Sequence, residues 1–250
     1  MDLYFVWLSL LKGIGPKNAR LLMQKYGSVI NIYESWDKIC ERANYDWVDS
    51  REESKKAMEK AERILSVCYD KKIDLISYEN PIYNNEWKRL NDFPILFYAK
   101  GDLKNLAMPG VGIVGARRCS TYGKEEALRI SNEVVQLGKA VVSGMAKGID
   151  SYAHTSALKN DGHTVAVLGS GVDICYPAEH KNLYYAICEK GVVLSEYPPE
   201  TPPKKYNFPM RNRIIAGLSD ILYVIEAGER SGTTSTVRAA KRYGREVFIK

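Results

Sequence analysis

Gly110-Val111-Gly112-Ile113-Val114-Gly115-Ala116-Arg117-Arg118-Cys119-Ser120 decides the architecture. Residues 111–114 form a short apolar run, β-branched except at Gly112, which breaks at once into a glycine turn carrying two arginines. Further runs of this kind follow at 140–142, 164–168, 192–194, 221–225 and 246–249, most of them separated by stretches of helical period. Continuous rather than alternating apolarity marks strands covered on both faces, so the pattern predicts a parallel α/β sheet of Rossmann-like type. Residues 110–115 also spell G-x-G-x-x-G, but the dinucleotide fingerprint needs its glycines after the strand and opening the helix. Here only Gly115 ends the strand, and no clear acidic partner for a ribose follows the second one, which argues against NAD.

Ligands of an open parallel sheet bind beyond the carboxyl ends of its strands, so the loops there are the ones to read. The first is Gly115-Ala116-Arg117-Arg118-Cys119-Ser120 and the second Ser143-Gly144-Met145-Ala146-Lys147-Gly148-Ile149-Asp150. The third is Gly169-Ser170-Gly171-Val172-Asp173, and a late one runs Glu226-Ala227-Gly228-Glu229-Arg230-Ser231-Gly232-Thr233-Thr234. Glycine lets backbone N–H groups approach an anion, while hydroxyls and cations add donors and charge. Each loop alone is explained equally well by turn geometry and helix capping; their convergence on one sheet edge predicts a phosphate-binding rim.

Phe208-Pro209-Met210-Arg211-Asn212-Arg213 reads as the start of a helix carrying two arginines. Cations oppose the dipole at that end, so either an anionic ligand sits among them or they pair with Glu196, Glu200 or Glu226. Both readings stand at the level of sequence.

Residues 3–68 read as helical throughout, giving an expected small helical domain over 1–70 and an α/β domain over 71–250. Short strands are expected at 74–78 and 94–99, set off by Asn-Pro and Asp-Phe-Pro turns. Within the helical part, Gly13-Ile14-Gly15-Pro16 separates two helices and resembles a helix-hairpin-helix, whose glycine amides meet a DNA phosphate with Lys12, Lys17 and Arg20 adding charge. A plain αα-hairpin that needs glycine accounts for the same residues.

The chain has 250 residues, 45% of them hydrophobic, enough for a large domain and a small one. No apolar run is long enough to span a bilayer and the start lacks secretory features, so a cytoplasmic location is expected. Five scattered cysteines indicate neither a disulfide framework nor a metal site. The formal net charge of +6 permits a polyanionic partner without demanding one. Ser143, Asp150 and His154 lack a nucleophile elbow, and His163 and His180 stand apart from other ligand types. No residue set calls for catalysis, a metal or a cofactor.

These blocks together resemble the DNA-processing protein A family (DprA, also called Smf). The resemblance rests on Gly115-Ala116-Arg117 with Ser120-Thr121-Tyr122-Gly123, and on Ser143-Gly144-x-Ala146-x-Gly148-Ile149-Asp150 with Ala153-His154. It continues through Gly169-Ser170-Gly171-Val172-Asp173 with Tyr176-Pro177, Ser195-Glu196-Tyr197-Pro198, residues 208–219, and Glu226-Ala227 with Ser231-Gly232-Thr233. Ala116 stands where serine is common, and Thr234-Ser235-Thr236 replaces a more apolar spacing. The resemblance implies a sterile-alpha-motif-like helical domain before an extended Rossmann-like one. It implies a homodimer without turnover chemistry that binds single-stranded DNA in natural transformation, protects it and helps load the RecA recombinase. Many members of the family add a small winged-helix-like C-terminal domain, and none is expected within these 250 residues, whose last expected strand is 246–249.

The expected groove carries Arg117, Lys147, Lys181, Arg211, Arg213, Arg230 and Lys241, with Gly115, Gly144 and Gly171 offering amides and Gly169, Ser120, Ser143, Ser231, Thr233 and Asn212 completing the rim. Phe208, Tyr122, Tyr176 and Tyr197 are candidates for stacking on bases, or for core packing. The competing class is a phosphoribohydrolase-like enzyme acting on free nucleotides, but the late loop lacks the Pro-Gly-Gly start of that family.

Overall fold

A computed structural model describes residues 1–42, 51–228 and 232–250, and the chain divides into two compact units, Met1–Phe97 and Tyr98–Lys250. The first holds α1 (Asp2–Leu10), α2 (Pro16–Tyr26), α3 (Val29–Glu34), α4 (Trp36–Arg42), α5 (Arg51–Asp70), β1 (Asp74–Ser77) and α6 (Asn85–Arg89). Helix is therefore present across the expected span, except that residues 43–50 lie outside the described part. α2 opens with Pro16 after an extended Gly15 and stops at Gly27, whose φ of 82° suits a residue without Cβ. Phe5, Val6, Trp7 and Leu8 of α1 are all fully buried, and the Trp7 indole donates to the Ser54 hydroxyl at 3.1 Å.

Arg20 corrects one expectation. It is only 6% exposed, and its guanidinium donates to the carbonyls of Lys88, Trp87 and Phe93 and to the Tyr83 hydroxyl. An arginine buried on four internal acceptors is turned away from any DNA phosphate, and its remaining Nε is buried as well. It also explains why residues 71–97 group with the helices rather than with the domain expected to start at 71. Arg20 and the rings of Tyr83, Trp87, Phe93 and Phe97 form one buried knot inside the first unit.

The division falls within β2 (Leu96–Gly101). Beyond it come β3 (Gly110–Gly115), α7 (Thr121–Gln136), β4 (Ala140–Ser143), α8 (Ile149–Lys159), β5 (Thr164–Val167) and α9 (Lys181–Lys190). They are followed by β6 (Val192–Ser195), α10 (Asn207–Gly217), β7 (Ile221–Ile225), α11 (Thr233–Arg242) and β8 (Glu246–Ile249). The sheet runs β1-β2-β6-β5-β4-β3-β7-β8, parallel from β6 to β8, with β2 antiparallel against β6. The predicted Rossmann-like parallel sheet is what the chain builds, with the strand expected at 94–99 starting and ending two residues later and the others within a residue of their observed spans.

Val111 and Ile113 of β3, Ile130 and Val134 of α7, Ile149 and Ala153 of α8 and Ile225 of β7 share one buried cluster. Burying the apolar runs on both faces is the main stabilising contribution to such a sheet. The glycines of the apparent dinucleotide motif have a packing role: a Cβ on Gly110 would collide with the Leu218 carbonyl, and one on Gly112 would stand 2.7 Å from Ser219 Oγ. After β3 the chain steps outward through β4, β5 and β6, then returns for β7 on the other flank of β3. That reversal is a topological switch point, where open α/β sheets form a crevice.

Candidate functional site

At the switch point a cleft of about 760 Å3 opens beyond the carboxyl ends of β3 and β7, lined by Arg117, Arg118, Lys205, Phe208, Arg211, Asn212, Glu226 and Thr233 among others. A side pocket of about 70 Å3 continues past Tyr176 and Phe208 to Gly144 and Lys147. Arg117, Arg118 and Lys205 are exposed, and none of them pairs with a described carboxylate. Arg117, Arg118, Lys205 and Arg211 outnumber the carboxylates Asp150 and Glu226 in the lining, and an excess of one sign of charge in low-dielectric walls concentrates the opposite ion, here anions. Tyr176 and Phe208 face each other with centroids 5.4 Å apart, and Tyr176 is 45% exposed. A flat apolar surface therefore lies beside the cations.

α10 begins at Asn207, earlier than expected. Pro209 sits inside its first turn, where backbone N–H groups have no helical partner and a missing one is no loss. Arg211 and Arg213 consequently fall beyond the first turn, past the reach of the dipole argument that singled them out. Their fates differ. Arg213 is 7% exposed and forks onto Glu196 at 2.5 and 3.2 Å, so the pairing alternative holds for it. Arg211 is 5% exposed and pairs with none of the three glutamates considered.

Instead Arg211 donates to the carbonyls of Gly144, at 2.9 Å, and Val167, while its Nε reaches Asn212 Oδ1 at 3.1 Å. Burial pushes the guanidinium down to about 10, against the opposing charge of Asp150. Asp150 accepts from the amides of Gly144 and Ala146 at 3.1 and 3.3 Å. Burial raises this carboxyl's pKa, opposed first by Arg211 and then by the two amides. His180 Nδ1 lies 3.1 Å from the Met145 carbonyl. The β4–α8 loop is thus clasped from three sides with Met145 at a φ of 60°, and it presents Lys147, paired with Glu179, beside the side pocket.

Two amides proposed as phosphate donors are engaged internally: Gly144 donates to Asp150, and Gly171 to the Thr201 carbonyl at 2.9 Å. Ser143 is fully buried and donates to the Ile113 carbonyl. Gly169 packs under Phe208, 3.0 Å from where its Cβ would point, and accepts from Asn207. Gly115, Arg117, Lys147, Phe208, Arg211, Asn212 and Thr233 are gathered on the cleft or its side pocket. Lys181 opens α9 and Lys241 lies in the last turn of α11, both exposed and neither lining the cleft. Arg230 and Ser231 lie outside the described residues.

Ser120 caps α7, its hydroxyl accepting from the Gly123 amide at 3.2 Å. The same residue donates its own amide, at 2.8 Å, and its hydroxyl to the Glu226 carboxylate. Those bonds, the hydroxyl's first, hold that carboxyl below the usual carboxylate range. Sequence reading missed Arg118, Lys205 and Glu226 as lining residues. The Lys204-Lys205 pair ahead of α10 and the second arginine of the first loop were the available signals. Each histidine has one ring nitrogen engaged internally: His154 Nδ1 meets Thr164 Oγ1 at 2.7 Å, and His163 Nδ1 meets Asn105 Oδ1 at 3.1 Å, like His180 on the Met145 carbonyl. Among the described residues no group of three metal-type ligands occurs, and no helix is long and apolar enough to cross a membrane.

Fold and cleft define a Rossmann-like module whose switch-point crevice carries exposed cations beside aromatic rings. The chain belongs to the DNA recombination-mediator protein A family, whose model matches residues 74–250. It is 38% identical over 190 residues to the DNA processing protein DprA of Bacillus subtilis (strain 168), covering 76% of this chain and 64% of that protein. It is 44% identical over 170 residues to that of Streptococcus pneumoniae (strain ATCC BAA-255 / R6), covering 66% and 58%. The chain thus spans less than two thirds of these relatives' lengths. Among solved structures, DNA processing protein A (DprA) from Streptococcus pneumoniae superposes with a TM-score of 0.77 at 33% identity, covering 98% of this chain and 84% of that one. A structure of DNA processing protein A from Helicobacter pylori, described for its single-stranded DNA binding mode, gives a TM-score of 0.64 at 31% identity, covering 71% and 80%.

Proposed function

We propose that this protein binds single-stranded DNA along the switch-point cleft and serves DNA processing in natural transformation. In this reading it shields incoming DNA in the cytoplasm, helps load the RecA recombinase, acts as a homodimer and turns over no substrate. The unit Tyr98–Lys250, which holds every residue of the cleft, carries the DNA site. The observation that carries the reading is the grouping of exposed Arg117, Arg118 and Lys205 with the Tyr176–Phe208 ring pair in one crevice. Backbone charge neutralisation with stacking is how sequence-tolerant single-strand binding works, each stacked base being worth about 1–3 kcal/mol. The Helicobacter pylori relative supports the choice of ligand.

The test is equilibrium binding of fluorescent oligothymidylate and of a duplex of equal length at several salt concentrations. Preference for the single strand with a steep salt dependence is expected; equal or absent binding of both removes the reading. Incubation with AMP separates the phosphoribohydrolase-like alternative, which requires release of free base.

A further inference from the structure

The first βα turn of a Rossmann-type fold is where a ligand's phosphate meets a helix N-terminus. In this chain that place holds a carboxylate of its own. Glu226, at the end of β7, accepts the Ser120 amide at 2.8 Å and the Ser120 hydroxyl, directly at the start of α7. The surroundings are shaped to it. Gly123 faces the carboxylate so closely that a Cβ there would stand 2.5 Å from Oε2. Glu226 itself adopts a φ of 51°, a left-handed conformation that few residues other than glycine take. Its carboxylate and the cations Arg117, Arg118 and Lys205 line the same cavity.

The geometry points to Glu226 as a specificity-determining residue, an internal phosphate surrogate that closes the α7 seat to free nucleotides and leaves the cleft to the phosphodiesters of a polynucleotide. The inference rests on the cleft being the single-strand site proposed above. A terminal phosphate carries nearly two negative charges near neutral pH and needs a seat of amides and hydroxyls; an internal phosphodiester carries one and is held at the rim along with its neighbours. A fixed carboxylate inside the cavity therefore repels the first more than the second and has already taken its donors.

The experiment compares wild type with Glu226→Ala and Glu226→Gln, using AMP and fluorescent oligothymidylate as probes, after circular dichroism and melting show the variants folded. AMP affinity is expected to rise about tenfold in Glu226→Ala and less in Glu226→Gln, which keeps an acceptor over the Ser120 amide. Oligothymidylate affinity is expected to change by less than about threefold. Folded variants with unchanged AMP affinity overturn the inference, as does an equal gain for both probes, which marks a general charge effect. If wild type binds no oligothymidylate, the single-strand reading fails, while the AMP comparison still decides whether Glu226 closes the seat.

Discussion

The guanidinium of Arg211 donates to the Gly144 carbonyl at 2.9 Å, so a residue that the sequence offers as a phosphate ligand is a brace for the β4–α8 loop. Replacing it with methionine removes the charge that opposes the burial of Asp150 and leaves the buried Gly144 and Val167 carbonyls without this donor, each at about 1–3 kcal/mol. Urea denaturation of Arg211→Met is expected to show a loss of that order. With Arg211 as a brace rather than a phosphate contact, the slope of log K against log salt for oligothymidylate should stay near wild type; a slope reduced as in an Arg117 variant refutes the brace.

Arg117 is exposed at the cleft mouth and lines both cavities. If about four phosphates are neutralised, the slope for a single strand is about −3, and removing one contact makes it shallower by about 0.7. Arg117→Glu should lower both affinity and slope while leaving the melting temperature within a few degrees. Fluorescence anisotropy at graded salt checks it, and an unchanged slope takes Arg117 out of the groove.

His154 is fully buried, and burial first, then the charges of His180 and Arg211, depress it to about 3. Its folded pKa lies below the value of about 6.5 for a free histidine, so the unfolded chain binds the extra proton between these values. The neutral-histidine stability is complete above about pH 6.5 and declines as pH falls towards 3, by up to about 1.4 kcal/mol per unit. Thr164 Oγ1 gives its proton to the Val141 carbonyl and so accepts from His154; His154→Asn, which keeps an N–H donor towards Thr164, should flatten that part of the profile. Asp150, with its pKa raised, acts in the opposite sense, so the quantity to measure is the difference between variant and wild-type urea midpoints across pH 4–7.

Gly148 has a φ of 74°, and a Cβ there would collide with the Ala116 carbonyl. Gly148→Ala should destabilise by more than the 1 kcal/mol or so typical of a strained φ, because the Ala116-Arg117 turn must also shift. A drop in melting temperature together with weaker oligothymidylate binding is expected. A drop in stability with unchanged affinity separates the turn from the site.

Arg20 binds the Lys88, Trp87 and Phe93 carbonyls and the Tyr83 hydroxyl. Arg20→Met strands these buried acceptors, each at about 1–3 kcal/mol. The expected result is a less stable first unit, seen by limited proteolysis, with no change in the salt slope. A shallower slope restores Arg20 as a DNA contact.

Much of the fold was legible because it depends on local runs. Residues 111–114 and 221–225 are apolar on both faces, which only a covered parallel strand tolerates, and Gly15-Pro16 marks where α2 begins. The first loop, with Gly115 and Arg117, was legible as cleft lining for the same reason, since a strand's end is visible in sequence. Residue type alone did not separate Arg117 from Arg20, Arg211 and Arg213. All four are arginines, yet Arg117 is exposed and the other three are 5–7% exposed, each with a partner at least 17 positions away in the chain.

Chain periodicity by itself determined the parallel sheet, the helical start and the edge on which a ligand site must lie, because hydrophobic pattern acts over a few residues. Only the tertiary structure decided that Glu226 sits on α7, that the Gly144 and Gly171 amides are engaged, and that three arginines face inward. Hydrogen bonds and buried charges are settled by which backbone groups arrive within about 3 Å, and that distance is set by packing between segments far apart in the chain.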